Sequence, residues 1–310
     1  MSTTPHPAAV SAALAGRPQD RRHAIAAKGI WHAWRWTLAR RTTQIGLLAV
    51  FMLGPWADMW WVRGNLASSN WFNGLLKLTD PYMLVQSLLA GHSLAWPAII
   101  GAMLISAFFL LMGGRVYCGW ICPLNLVTDA AHWLRQRLGL RRDRSIGRGT
   151  RLWLLGGTLL ASASTGVLAW EIVNPVTVLQ RGLLFGMGSG WALIAAIFLF
   201  DLLITRRGWC SHLCPVGAFY GLLGHLSPVR VHAANRQACR HCGACLRSCP
   251  EPHVIPPALK ANGQAPGFIV SGDCMNCGAC IDACPNDVFT FGWRPIAWRP
   301  RRRTAEDASC

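Results

Sequence analysis

Charged side chains are scarce in this sequence, and acidic ones are the scarcest. Only 14% of the 310 residues are Asp, Glu, Lys or Arg, well under the roughly 25% that is usual for soluble domains. Asp and Glu number 13 against 30 Lys and Arg, which gives a formal net charge of +17, and 52% of the residues are apolar. This composition excludes an intrinsically disordered chain and argues against an ordinary soluble protein.

Four apolar stretches have the length and the low charge needed to cross a bilayer, which takes about 20 residues. They lie at residues 45–62, 95–114, 152–170 and 187–205. Most Lys and Arg residues lie before the first stretch, between the second and third, and after the fourth. The positive-inside rule then places both termini in the cytoplasm and the loops 63–94 and 171–186 outside. We therefore predict a multi-pass protein of the bacterial inner membrane, in contact with membrane lipid.

A strongly basic chain can also indicate a nucleic-acid-binding protein. Here the basic residues lie where the predicted topology requires them, and no nucleic-acid-binding motif accompanies them. We predict no nucleic-acid partner.

Eight of the 13 cysteines form two copies of the run C-x2-C-x2-C-x3-C-P near the C-terminus. In bacterial ferredoxins with this spacing, the fourth Cys of each run ligates the cluster of the other run. Two [4Fe-4S] clusters are therefore predicted, one held by Cys239, Cys242, Cys245 and Cys284, and one by Cys274, Cys277, Cys280 and Cys249. A zinc ribbon would use pairs of C-x2-C, and disulfides would need an oxidising compartment, so both alternatives are disfavoured.

Four further cysteines form two C-x3-C-P elements, each a few residues after an apolar stretch. They are Cys118 with Cys122, and Cys210 with Cys214. Upstream, Pro81 precedes Gln86 as Pro175 precedes Gln180, which indicates an internal duplication. Two copies related by an axis along the membrane normal would bring the four thiols together at the cytoplasmic surface. There they could bind a metal, act as redox thiols or cap helix ends, and the sequence leaves these three roles open.

Iron-sulfur clusters move single electrons, and the natural membrane-soluble redox partner for them is the quinone pool. Oxidation of a quinol needs a proton acceptor beside the electron acceptor. The candidates are Asp58, Asp80, His92 and Glu171 near the outer face, and Asp201 within the fourth stretch. Because an ionisable residue inside a membrane is by default a functional candidate, we predict a proton or quinol role for Asp201. The alternative is that Asp201 pairs with Arg206 or with a neighbouring helix.

The predicted fold is an all-α polytopic membrane domain with four transmembrane helices in two pseudo-repeats, followed by a small α+β ferredoxin domain. The predicted boundaries are a basic N-terminal arm at 1–44, the transmembrane domain at 45–230, the ferredoxin domain at 231–292 and a basic tail at 293–310. Cys310, in this tail, has no predicted role.

Several longer motifs carry a resemblance to a known family. They are GPW in the first apolar stretch, LTDP in the following loop, YCGWICPLN, WEIVNPV, GWCSHLCPVGAFYG and the two cysteine runs. Over about residues 28–292 they resemble the NapH family of ferredoxin-type proteins from periplasmic nitrate reduction systems. The resemblance implies a quinol dehydrogenase component that acts only within a complex and passes electrons through a NapG-like ferredoxin toward the periplasmic nitrate reductase. It also implies that the eight cluster cysteines and the four C-x3-C-P cysteines are site residues.

Two other functions are compatible with the same residues. One is an assembly or redox-maintenance factor for a periplasmic or membrane metalloenzyme, as in the related NosR and CcoG types, and the other is a scaffold with structural clusters. Reduction of the clusters by quinol would separate the first reading from these two. The predicted cytoplasmic clusters and the periplasmic reductase lie on opposite sides of the membrane, so the route of the electrons stays open.

Overall fold

The computed structural model describes residues 20–56, 62–71, 76–140, 147, 149–186, 188, 190–260 and 267–294. Asp58 and Cys310 lie outside these residues, as does most of the predicted basic tail.

The chain begins with a long helix, α1 (Asp20–Trp56), which is interrupted at Gly29, where φ is +80°. Helix α1 runs across the predicted boundary between the N-terminal arm and the first apolar stretch. An antiparallel three-stranded sheet follows, consisting of β1 (Val62–Gly64), β2 (Ser68–Trp71) and β3 (Leu76–Thr79). The sheet packs along the next long helix of the chain, so this part of the predicted outer loop is folded back onto the protein.

Two segments repeat one order of elements. The first contains α2 (Pro81–Leu89), α3 (Trp96–Met112), a single π-helical turn (Tyr117–Ile121) and α4 (Leu124–Arg137). Between the segments lie α5 (Thr150–Thr165) and α6 (Ala169–Val173). The second segment contains α7 (Pro175–Phe185), α8 (Gly190–Leu203), a π-helical turn (Trp209–Leu213) and α9 (Pro215–Gly224). Each π-helical turn contains the first Cys of a C-x3-C-P element.

The first helix of each repeat starts in the same way. A proline occupies the first turn, where its missing N–H is not needed. The residue before it caps the helix through its side chain, so that Asp80 accepts a hydrogen bond from the Tyr82 N–H at 2.8 Å and Asn174 accepts one from the Val176 N–H at 3.1 Å. Such caps are worth about 1 kcal/mol each.

Large apolar side chains are exposed along α3, α5 and α8. They include Trp96, Met103, Phe108, Trp153, Leu160, Trp191 and Leu203. Within the described ranges, no helix combines the length and the apolar character required to cross a bilayer. The four spans at 45–62, 95–114, 152–170 and 187–205 therefore stay a prediction.

The C-terminal part is a small α+β unit. Strand β4 (Val229–Ala233) pairs antiparallel with β5 (Phe289–Trp293), with Val231 opposite Phe291. Three short helices lie between the strands, namely α10 (Ala244–Ser248), α11 (Pro256–Lys260) and α12 (Ala279–Ala283). Helices α10 and α12 start after Gly243 and Gly278, whose φ values of +73° and +70° favour glycine. The apolar core is built from buried aliphatic and aromatic side chains, among them Val231, Ile255, Ile269, Ile281 and Phe289.

Helix α1 is fastened to this unit by one buried carboxylate. Asp282, in α12, accepts hydrogen bonds from the Thr37 N–H and hydroxyl, both at 2.8 Å, and from the Trp36 N–H at 3.3 Å. The Trp36 ring lies directly against Gly278, where a side chain would collide with it. The segment predicted as a basic arm is therefore, from Lys28 onward, part of the packing around the cysteine-rich domain.

Candidate redox sites

One set of ferredoxin cysteines surrounds a cavity of about 340 Å³, here called the ferredoxin cavity. The cysteines that line it are Cys249, Cys274, Cys277 and Cys280. They are the four residues that the crossed ligand pattern assigns to one cluster. Apolar side chains such as Val254 and Ile269 complete the wall, so the donor set and its surroundings fit a [4Fe-4S] cluster.

The other set lies around Cys245. Burial raises the pKa of the Cys245 thiol to about 12, and the nearby Cys284, Cys242 and Cys239 raise it further. These are the members of the second predicted cluster, and here Cys242 is exposed while Cys239 and Cys245 are half-buried. The structure thus brings together both predicted groups of four.

These groups are not arranged as single-ion sites. Within the described residues, no three His, Cys, Asp or Glu side chains converge to hold one metal ion. A [4Fe-4S] cubane is larger than one ion, and its four thiolates each bind a different iron, so it requires a wider spacing.

A larger cavity, of about 720 Å³, lies between the two repeats and is here called the repeat cavity. All four C-x3-C-P cysteines line it, namely Cys118, Cys122, Cys210 and Cys214. Its polar lining comes from the starts of α2, α6 and α7 and includes Asp80, Gln86, Glu171 and Asn174. Met83, Leu124, Trp170 and Val176 contribute apolar surface.

The second Cys of each element stands at the start of a helix. Cys122 and Cys214 have extended backbones, as residues before proline prefer. The backbone N–H groups of Leu124 and Asn125 lower the pKa of Cys122, and those of Val216 and Gly217 lower the pKa of Cys214. Burial nevertheless raises the pKa of Cys214 to about 12 and that of Cys122 well above its usual value.

Asp80 is the buried carboxyl group of the repeat cavity. Besides capping α2, it accepts a hydrogen bond from the Tyr220 hydroxyl at 3.3 Å. Burial raises the pKa of Asp80 to about 6, against the opposing effect of the Tyr82 N–H and the Tyr220 hydroxyl. Glu171 raises it slightly further. A carboxyl group with this pKa can take up a proton near neutral pH.

This arrangement differs from the expectation that Asp80 and Glu171 lie at the outer face, away from the C-x3-C-P cysteines. The difference arises because the segment before α3 folds inward. Gly101, in α3, has no room for a side chain because the Lys77 carbonyl lies against it, and this close approach carries α2 toward the cysteines. The paired Asp80-Pro81 and Asn174-Pro175 steps were the signal in the sequence that could have indicated it.

Asp201 does not line the repeat cavity. One of its carboxylate oxygens accepts a hydrogen bond from the Trp209 N–H at 2.9 Å, at the start of the second π-helical turn. The Asp201 carbonyl accepts a hydrogen bond from the Arg135 guanidinium at 3.2 Å. Asp201 therefore positions the turn that carries Cys210, and its proton or quinol role stays a prediction. His92 is exposed.

The two cavities are joined by direct contacts. Arg115 is fully buried and donates to Glu251 at 2.8 Å, to the Asp273 carbonyl at 3.2 Å and to the Cys210 carbonyl at 2.8 Å. The indole N–H of Trp120, within the first C-x3-C-P element, donates to the Asn276 carbonyl at 3.1 Å. Because Asp273 and Asn276 flank Cys274, the thiols of the repeat cavity lie next to a predicted cluster loop.

Comparison with known families also separates the helical half from the ferredoxin domain. A family described as "4Fe-4S binding domain" matches twice, at residues 94–141 and 185–232, and a family described as "4Fe-4S dicluster domain" matches residues 238–288. The predicted iron-sulfur clusters and the C-terminal ferredoxin domain of a mainly helical chain are confirmed at this level. No solved structure matches the chain.

Several curated proteins are similar over most of their length. The methylamine utilization ferredoxin-type protein MauN of Paracoccus denitrificans (strain Pd 1222) is 60% identical over 88% of this chain and 96% of its own. MauN of Methylorubrum extorquens is 59% identical over 82% of this chain and 87% of its own. The ferredoxin-type protein NapH of Escherichia coli (strain K12) is 46% identical over 91% of this chain and 98% of its own. The predicted resemblance is thus confirmed, and the chain belongs to the NapH and MauN family of ferredoxin-type electron-transfer proteins.

Proposed function

We propose that this protein is a membrane electron-transfer subunit that oxidises quinol in the repeat cavity. The observation that carries the proposal is the composition of that cavity. It combines a buried carboxyl group, apolar walls and contact with the ferredoxin cavity through Arg115 and Trp120. A quinol site needs these same three features, which are a proton acceptor, room for an apolar ring and a nearby electron acceptor.

Conversion of a quinol to a quinone releases two protons and two electrons. Asp80 is the first proton acceptor, because a pKa of about 6 makes it more basic than an ordinary carboxylate while it stays mostly ionised at neutral pH. Glu171, at the same cavity, is the second. When bound, the clusters supply one-electron acceptors that pass the electrons onward. Met83, Trp170 and Val176 hold the ring by apolar contact.

We place the helical half in the bacterial inner membrane. The exposed apolar side chains on α3, α5 and α8 support this placement, since soluble monomers rarely expose large contiguous apolar patches. The distribution of Lys and Arg supports cytoplasmic termini.

The system in which the protein works is suggested by the relatives. Two MauN proteins, named for methylamine utilization, share 60% and 59% identity with this chain, against 46% for a NapH protein. We therefore propose methylamine utilization as the context in which quinol reduces the clusters of this protein, in place of the NapG-like partner and the periplasmic nitrate reductase. Expression in strains that lack their own MauN or NapH tests this choice. Rescue of nitrate reduction without rescue of growth on methylamine would reverse it.

The quinol site is tested by reduction of the clusters in anaerobically purified protein. A reduced quinol analogue is added to the protein in liposomes, and the signals of its clusters are followed by EPR. Val176→Trp fills the repeat cavity and should abolish reduction by quinol while dithionite still reduces the clusters. The matched control, Leu199→Trp, places the same ring on an exposed face of α8. Quinol should reduce the clusters of this variant as fast as those of the wild type.

Two results would contradict the proposal. One is that no quinol reduces intact, dithionite-reducible clusters in the wild-type protein, which would favour the assembly or redox-maintenance role. The other is that Val176→Trp is reduced by quinol as fast as the wild type.

A further inference from the structure

The C-x3-C-P elements of the helical half have the same spacing as the end of each ferredoxin run. In the ferredoxin domain the matching residues are Cys245, Cys249 and Pro250, and Cys280, Cys284 and Pro285. The final Cys of each run is the ligand that the crossed pattern lends to the neighbouring cluster. The helical half therefore contains two copies of the part of the motif that supplies this ligand.

The backbone of the final Cys is also the same in all four places. Its φ and ψ are −62° and 116° at Cys122, −72° and 113° at Cys214, −74° and 132° at Cys249, and −83° and 117° at Cys284. In each case a short helical segment ends on this extended residue, and the following proline redirects the chain. The four final cysteines thus share one backbone conformation.

Neither repeat could hold a cluster alone. Each family match to a "4Fe-4S binding domain", at 94–141 and at 185–232, contains only two cysteines, whereas a cubane needs four thiolates. The structure places both pairs on one cavity as free thiols. The repeat cavity and the ferredoxin cavity are each lined by four cysteines, so the repeat cavity offers the number of thiolates that a cubane needs.

We propose that Cys118, Cys122, Cys210 and Cys214 together bind a third [4Fe-4S] cluster between the two repeats. This inference goes beyond the proposed function, because cluster content does not depend on quinol oxidation. Of the three roles that the sequence leaves open for these four thiols, the proposal selects metal binding. When bound, the cluster would add a one-electron carrier between the quinol site and the ferredoxin cavity.

The test is the iron and acid-labile sulfide content of the full chain, reconstituted and purified without oxygen. We expect about 12 iron and about 12 sulfide per wild-type chain, which is three [4Fe-4S] clusters. The variants Cys118→Ala and Cys210→Ala should each fall to about 8 of each and keep the EPR signals of the two ferredoxin clusters. Those signals also show that the variants are folded. Cys310→Ala, which removes a cysteine outside every motif, should keep the wild-type content.

Several outcomes would overturn the inference. About 8 iron in the wild-type protein would do so, whether the four thiols are then found free, joined in disulfides by mass spectrometry, or holding one zinc or copper ion by elemental analysis. Wild-type iron content in the double variant Cys122→Ala with Cys214→Ala would also contradict it.

Discussion

The two repeats of the helical half have one order of elements but different neighbours at matching positions. Three residues before the first Cys of each element stands an arginine, Arg115 in the first repeat and Arg207 in the second. Arg115 reaches into the ferredoxin domain to Glu251, whereas Arg207 pairs with Asp129 in the first repeat. Only the first arginine therefore connects its repeat to the ferredoxin domain.

The N-terminal caps of the matching helices α2 and α7 also differ between the two repeats. The first repeat has Asp80 where the second has Asn174, so one helix cap is ionisable and the other is an amide, which donates to Glu171 at 3.0 Å. The duplication gives four thiols at matching positions, whereas the caps and the arginines differ between the repeats. We therefore expect the first repeat to hold the first proton acceptor and the contact through which electrons leave.

The largest effect is expected from removing the arginine of the first repeat. Arg115→Gln leaves Glu251 buried without its partner, and breaking a buried pair in this way costs about 3 to 5 kcal/mol. Arg207→Gln should cost only about 1 kcal/mol, because Asp129 keeps Arg40 and Arg41 as partners. Denaturant unfolding, followed through the visible absorbance of the clusters, measures the difference. The double variant Arg115→Gln with Glu251→Gln should recover part of the lost free energy of unfolding. If Arg115→Gln and Arg207→Gln lowered the stability equally, the proposed difference between the two repeats would be wrong.

The next effect concerns the proton acceptor. Asp80→Asn makes the two caps alike and should slow quinol-dependent cluster reduction about 100-fold, the lower range for loss of a general base. Asn174→Asp keeps Asp80 and should change the rate much less. Stopped-flow reduction of the two variants side by side distinguishes them, and a wild-type rate in Asp80→Asn would exclude Asp80 as the acceptor.

The pH dependence provides an independent test of the same group. Asp80 accepts a proton only when ionised, so the rate should rise with pH through about 6, the pKa that burial gives it. The ionisable groups around it are Tyr82, Tyr117, Tyr220, Glu171 and Cys118. Burial raises the pKa of all three tyrosines, so they stay neutral across this range. Asp80→Asn should flatten the profile between pH 5 and 7, and an unchanged profile would assign the titration to another group.

A smaller difference is expected for the two repeated glutamines. Gln86 accepts hydrogen bonds from the Ser162 hydroxyl and the Trp170 N–H, both at 3.2 Å, while Gln180 accepts one from the Leu66 N–H at 3.1 Å. Gln86→Leu leaves the buried Trp170 N–H unpaired, whereas Gln180→Leu frees the N–H of Leu66, which is only partly buried. We expect a cost of about 2 kcal/mol for the first variant and about 1 kcal/mol for the second. Unfolding midpoints compare the two, and a larger cost for Gln180→Leu would mean that the second repeat depends more on its loop.

The sequence predicted the cysteine-based parts of the molecule well, because ferredoxin spacing directly encodes which thiols converge. The approach of the four C-x3-C-P thiols was predicted from the internal duplication. The inward fold of Asp80 was not predicted, because it depends on the contact between Gly101 and the Lys77 carbonyl, two residues that are far apart in the sequence. Asp201 has an apolar sequence environment, yet its carboxylate caps a turn, and only the tertiary structure shows that partner.

The smallest effect tests how closely the first repeat contacts the ferredoxin domain. A methyl group added at Gly119 would lie 3.3 Å from the Met275 carbonyl oxygen and 3.5 Å from the Cys277 Cβ, so the loop around Cys277 must shift by a few tenths of an ångström. Gly119→Ala should therefore cost about 1 kcal/mol and alter the EPR signal of the cluster that Cys277 is predicted to bind. Ser211 occupies the matching position of the second repeat, and Ser211→Ala should leave that signal unchanged. If both variants altered this EPR signal equally, the contact with the cluster loop would not distinguish the first repeat from the second as the route of the electrons.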